Sequence, residues 1–177
     1  MKNKISTRTL TMCAMFTALT AVCSQIVIPL PSMVPISLSL LAVHLSGALL
    51  GVFGATLSQI VYILLGAVGA PVFAQLRGGL GVLAGPTGGY IIGYVLCAFT
   101  VGILAQKWGR SFWKLVLGMA LGTALCYAFG TAWFIVLTGK GLATALLACV
   151  VPFLPGDAIK IALAAFLAVK LYPRLPK

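Results

Sequence analysis

Residues Leu38–Val68 read LSLLAVHLSGALLGVFGATLSQIVYILLGAV, a run without one Lys, Arg, Asp or Glu. About 20 apolar residues in a helix cover the roughly 30 Å hydrocarbon core of a bilayer. This run is too long for one ordinary crossing, and Gly47, Gly51 and Gly54 punctuate it. It reads as two short membrane helices turning near Gly51–Gly54. Composition places the whole chain in the same setting. Of 177 residues, 62% are hydrophobic and 7% are charged, whereas a soluble domain keeps about a quarter of its residues charged. The sequence is that of an all-α integral membrane protein.

Outward from this run, similar tracts recur on both sides. A first span is expected over Arg8–Ile28, closed by Pro29-Leu30-Pro31. Its apolar run, Leu10 to Leu30, exceeds the core of a cleaved signal peptide, and hydrophobicity returns repeatedly downstream, so it reads as a retained span. The link Ser32–Pro35 leads into the long run. After it comes GAPVFAQLRGGLGVLAGPTGG, Gly69–Gly89, too rich in Gly and Pro for a regular span. Irregular backbone at membrane depth persists only where protein or a watery cavity satisfies its polar groups. A fourth span is expected over Tyr90–Ala105, then a basic loop QKWGRSFWK (106–114), then a fifth over Leu115–Leu137. Thr138–Leu154 forms a connection with room for a short helix, and the sixth span runs from Pro155 to Tyr172. The expected architecture is a compact bundle of six transmembrane helices forming one domain, 1–177.

The basic residues orient it. One side holds Lys2, Lys4, Arg8, Lys107, Arg110, Lys114, Lys170, Arg174 and Lys177, the other only Arg77 and Lys140. Cytoplasmic loops carry the excess of Lys and Arg, so both termini are expected in the cytoplasm. Trp108, Trp113 and Tyr172 suit the interfacial belt. The connections 29–37, 69–89 and 138–157 then face outwards with most of the prolines, the Gly-rich stretch, Arg77, Lys140 and Asp157. The chemistry gathers where an extracellular solute arrives.

The net charge of +11 invites a nucleic-acid reading. No basic face interleaved with exposed aromatics accompanies it, which argues against that reading. Five cysteines, Cys13, Cys23, Cys97, Cys126 and Cys149, lie singly in apolar stretches without a Cys-x-x-Cys; they read as small buried residues, neither disulfides nor metal ligands. His44 stands alone in an apolar helix and reads as a packed or hydrogen-bonded side chain. Ser39, Ser46 and Ser58 lack a base and an orienter, and a single carboxylate leaves no pair for acid–base work. The inventory is not that of an enzyme.

Asp157 is the only acidic residue in the chain. It lies in PFLPGDAIK, Pro152–Lys160, three residues before Lys160 and so on the same helical face. An ionisable group at membrane depth is costly and usually faces a cavity, partner or pathway. Asp157 and Lys160 together offer an acceptor and a cation to a small ligand carrying both kinds of group. A structural reading stands beside it: Asp after Pro-Gly caps helices, and Lys160 neutralises it or snorkels outwards. Arg77 offers a cation to a carboxylate or is an interfacial loop charge. Gln75, Thr87 and Tyr90 are further candidate ligand contacts on the same loop and the following helix. Ala14-Met-Phe-Thr-Ala18 places small residues four apart, a flat strip that admits a neighbouring helix; Gly118 and Gly122 make a similar strip.

GPTGGY at Gly85–Tyr90, PVFA at Pro71–Ala74 and PFLPGDAIK at Pro152–Lys160 resemble the BioY family, and the resemblance spans nearly the whole chain. The family comprises biotin-specific membrane subunits of energy-coupling factor transporters. The resemblance implies a six-helix bundle in the bacterial cell membrane that captures biotin at its outer face. Its partners would be a transmembrane coupling subunit and two ATPases; no cofactor is implied. It also implies that Asp157 and Lys160 contact the ligand and that Ala14 and Ala18 contact the coupling subunit. The chain has no phosphate-binding loop, so ATP would be hydrolysed elsewhere. Around Gln75–Arg77 it departs from the family, which more often has small residues there. Rival readings are a binding subunit for another vitamin, an autonomous transporter or channel, and an intramembrane enzyme; 177 residues without internal repeats weigh against an alternating-access carrier.

Overall fold

The computed structural model describes residues 6–28 and 34–175. The Pro29-Leu30-Pro31 break, Ser32 of the link and the charges of Lys2, Lys4 and Lys177 lie outside the described residues. Among the described residues seven α-helices follow in order: α1 Thr7–Gln25, α2 Ser39–Ala67, α3 Leu80–Leu83, α4 Gly88–Trp108, α5 Phe112–Thr138, α6 Leu142–Cys149 and α7 Leu154–Leu171. The bounds of α1, α4, α5 and α7 lie within a few residues of expected spans, and α6 fills the connection where a short helix was expected; α3 is a single short turn within the Gly-rich stretch read as irregular. The only strands among the described residues, Val27–Ile28 and Ile36–Ser37, pair antiparallel across the link between α1 and α2.

The long apolar run does break at Gly51. Its φ of 72° and ψ of −172° interrupt α2, a conformation open to glycine because it lacks a Cβ. The break exposes carbonyls at the end of the first half-helix, where the helix dipole is negative. Arg110, from the α4–α5 connection, answers it: Nε donates to the Ala48 carbonyl at 2.8 Å. Its guanidinium also stacks 3.8 Å from the centre of the Tyr172 ring. Arg110 therefore ties the break in α2 to the chain's C-terminal end, beyond its role as a loop charge.

By length and apolarity, α2, α4 and α5 each suffice to cross a membrane, and α6 with α7, bent by 52°, forms a further candidate. Helix α1 is less apolar because five threonines and Arg8 lie along it. The core sits where α2 packs on α4, α4 on α5, α1 on α2, and α7 on both α2 and α5. Small residues line these seams: Ala164, Ala165 and Ala168 of α7 are fully buried. Without a hydrophobic drive between helices in lipid, close backbone approach supplies the packing energy.

The two small-residue strips part company here. Gly118 and Gly122 are buried, with Gly118 against Leu104 and Gly122 against Val101 and Cys97 of α4. They serve internal packing. Ala14 and Ala18 are exposed, because α1 turns Cys13, Phe16, Thr17 and Thr20 inwards instead. His44 is fully buried, its Nε2 3.1 Å from the Thr123 hydroxyl and its Nδ1 3.6 Å from Cys97 Sγ. All five cysteines are free thiols.

Candidate ligand-binding site

Pro155 near the N-terminus of α7 leaves no helical bond unmade, since the first turn's N–H groups lack partners anyway. Two residues later Asp157 enters the first turn, and Lys160 follows on the same face. Lys160 Nζ lies 2.7 Å from Asp157 Oδ1, and both residues are buried, 4% and 6% exposed. The other carboxylate oxygen accepts from the Tyr127 hydroxyl of α5. Asp157 makes no capping bond to the helix, and Lys160 points inwards instead of snorkelling. Of the structural reading, capping and snorkelling are thereby corrected, while the neutralising ion pair between Lys160 and Asp157 is present. Such a buried pair adds little net stability, because desolvation offsets the attraction, yet losing one partner is expensive. Its placement has to be understood from what it faces.

It faces a cavity. A compartment of about 50 Å³ is lined by Asp157, Lys160, Tyr127, Tyr90 and Tyr94. Val34, Pro35, Ser37, Ser39, Tyr90 and Tyr94 also line a larger cavity of about 430 Å³. That volume lies within the roughly 300–1,000 Å³ of small-molecule sites. The larger cavity's far wall is the Gly-rich loop, contributing Phe73, Ala74, Gln75, Arg77, Pro86 and Thr87.

Each wall has a local cause. Phe73 is buried edge-on against Tyr62, centroids 5.5 Å apart, giving the cavity an aromatic floor. The GPTGGY turn is fixed by Trp133, whose indole N–H donates to the Gly85 carbonyl at 3.1 Å and whose side chain packs on Gly89. Tyr90 follows, its ring lying over Gly130 of α5, where a Cβ would collide with it. Its hydroxyl lies 3.0 Å from that of Thr131. The Tyr94 hydroxyl lies 2.6 Å from Ser39 Oγ, itself 2.6 Å from Ser37 Oγ.

The six candidate ligand contacts thus border two adjoining cavities: Gln75, Arg77 and Thr87 on the larger, Asp157 and Lys160 on the smaller, Tyr90 on both. Ala14 and Ala18 line neither compartment. Sequence reasoning missed Tyr94, Tyr127, Tyr62, Ser37 and Ser39. Tyr94 was legible, four residues after Tyr90 and so on the same face of a helix. Tyr127 reaches Asp157 across 30 residues of chain, and no local pattern marks it.

The sequence model of the BioY family matches residues 1–177. The chain belongs to the BioY family. Among BioY relatives, the biotin transporter BioY of Thermotoga maritima is 42% identical over 164 residues, spanning 93% of this chain and 95% of that protein. The biotin transporter BioY of Rhodobacter capsulatus is 35% identical over 176 residues, covering 91% of each. Among solved structures, the S-component for biotin from an ECF-type ABC transporter superposes with a TM-score of 0.88. It is 29% identical and the match covers 97% of this chain and 94% of that one. The BioY fold of this chain is therefore all-helical and that of an S-component, and its family is one of transporters.

Proposed function

We propose that this chain is the biotin-binding membrane subunit of an energy-coupling-factor-type uptake transporter. It captures biotin at the outer face of the bacterial cell membrane, for import driven by a transmembrane coupling subunit and two ATPases. The observation that carries the reading is the pair of adjoining cavities, the smaller of which sets Asp157 and Lys160 against aromatic and hydroxyl-bearing side chains that also line the larger. Biotin has a matching division: an apolar fused ring, a ureido group with two N–H donors and a carbonyl, and a valerate carboxylate. Asp157 accepts from donors, Lys160 and Arg77 serve carbonyl or carboxylate oxygens, and Thr87, Gln75 and Tyr90 complete the polar contacts. Membership of the BioY family and the names of its relatives support biotin over other vitamins.

In this reading α1, the two halves of α2, α4, α5 and the α6–α7 unit make six spans in a single transmembrane domain, both termini cytoplasmic. The distribution of Lys and Arg supports the orientation. The exposed Ala14–Ala18 strip is the docking face for the coupling subunit. Co-purification from native membranes tests the whole: extracted ligand should be biotin, and the co-isolated chains a membrane subunit and ATPases. Ala14→Leu/Ala18→Leu should retain biotin but lose those chains and uptake, since bulk on the strip holds a partner helix away. Another vitamin in the extract contradicts the ligand; unchanged co-purification of the leucine variant contradicts the docking face.

A further inference from the structure

The loop wall of the cavity has little to hold it up. Between Pro71 and Arg77 it contains one turn of 3-10 helix and an isolated bridge between Phe73 and Arg77. Gln75 and Leu76 both have positive φ, 62° and 55°, a conformation that residues with side chains keep only when their surroundings impose it. The imposing group is the last residue of α1. Gln25 Nε2 donates to the carbonyls of Val72 and Phe73 at 3.2 and 3.1 Å, and Gln25 Oε1 accepts from the Leu76 N–H at 2.9 Å. The Val72 carbonyl is also met by the hydroxyls of Ser24 and Tyr62. One primary amide therefore stands where a neighbouring strand would, donating to and accepting from the same stretch of backbone. An amide side chain carries both donor and acceptor at one end, which a carboxylate or a thioether does not.

We infer that Gln25 is a positioning residue for the ligand cavity: it lines neither compartment but holds Phe73, Gln75 and Arg77 in the loop form that closes the cavity. The inference rests on the reading that the cavity takes biotin. If bound biotin leaves past this wall, the clamp sets how long it stays. Sequence alone gives Gln25 no role, placing it inside the first expected span. The clamp becomes visible only when the ends of α1 and of the Gly-rich loop are seen together.

The test uses full-length protein in lipid nanodiscs, with release of labelled biotin followed after a chase of unlabelled biotin, and amide hydrogen exchange read at Leu76. Gln25→Met keeps the length and loses every hydrogen bond; Gln25→Glu keeps the acceptor for Leu76 and loses both donors. Thr17→Val is the control, deleting the hydroxyl bond from α1 to the Ser58 carbonyl without touching the loop. Gln25→Met should release biotin on the order of tenfold faster and lose protection at Leu76, as expected for several neutral hydrogen bonds. Gln25→Glu should release biotin at an intermediate rate and keep Leu76 protected, and Thr17→Val should match the parent. Parent-like release from Gln25→Met, or equal acceleration by Thr17→Val, overturns the inference. So does an unprotected Leu76 amide in the parent, a measurement that stands even if Gln25→Met fails to fold. A parent that retains no biotin contradicts the ligand assignment instead, and the Leu76 comparison then decides the clamp alone.

Discussion

The cavity has one wall of helix and one of loop. On the helical side, Asp157 and Lys160 of α7 are buried and paired, and the half-buried Tyr127 of α5 donates to Asp157. Their positions are set by the bundle's packing before any ligand arrives. On the loop side, Gln75 and Arg77 are exposed, and the backbone beneath them is held in an unfavoured conformation by side chains from α1. A buried pair in a dry setting gives specificity, because an unmatched ligand leaves charges unsatisfied. An exposed, clamped loop gives access and closure at small energetic cost. On the proposed reading, the contrast assigns recognition chiefly to the helical wall and closure to the loop wall.

Substitutions on the helical wall should therefore cost most. Lys160→Ala leaves the Asp157 carboxylate buried beside Tyr127 alone. Breaking such a pair costs about 3–5 kcal/mol, visible as a lowered unfolding temperature in detergent, and biotin affinity should fall by roughly a hundredfold. Asp157→Asn/Lys160→Met removes both charges and should return stability to that of the parent, since apolar replacement of a buried pair is close to neutral. Affinity should stay lost. Recovery of binding with stability would make the pair a structural device and erase the contrast between the walls.

Tyr127→Phe probes the same wall more gently. It deletes one charge-assisted hydrogen bond to Asp157, worth about 1.5–3 kcal/mol at most, so isothermal titration should show biotin bound several-fold to tenfold more weakly. A larger loss than from Lys160→Ala would shift the centre of recognition from the pair to the phenol. Arg77→Ala, on the loop wall, should have the smallest effect. An exposed cation contributes about 0.2–1 kcal/mol, so affinity should fall no more than about fivefold and less in high salt. An Arg77 effect equal to that of Lys160, independent of salt, would show that the loop wall also reads the ligand's charge.

Much of this arrangement was legible from residues alone. An interruption near Gly51–Gly54 was expected from the length of the apolar run and its glycines, and Gly51, with its positive φ, is where α2 breaks. The lone acid, three residues before a lysine in a membrane helix, marked the buried pair beside the cavity through its cost. What stayed hidden is what only tertiary contact creates. Tyr127 meets Asp157 and Gln25 meets Leu76 across long stretches of chain, and both look locally like ordinary helix residues. The two small-residue strips were also indistinguishable in sequence. Only packing assigns Gly118 and Gly122 to the seam with α4 and leaves Ala14 and Ala18 on the surface.

The central claim is that the helical wall recognises biotin, and an equilibrium binding panel of biotin, thiamine and riboflavin tests it most directly. The parent should bind biotin far more tightly than either other vitamin, and Asp157→Asn/Lys160→Met, folded as stably as the parent, should lose that preference. Equal affinity of the parent for all three, or an undiminished biotin preference in the double variant, would contradict the claim.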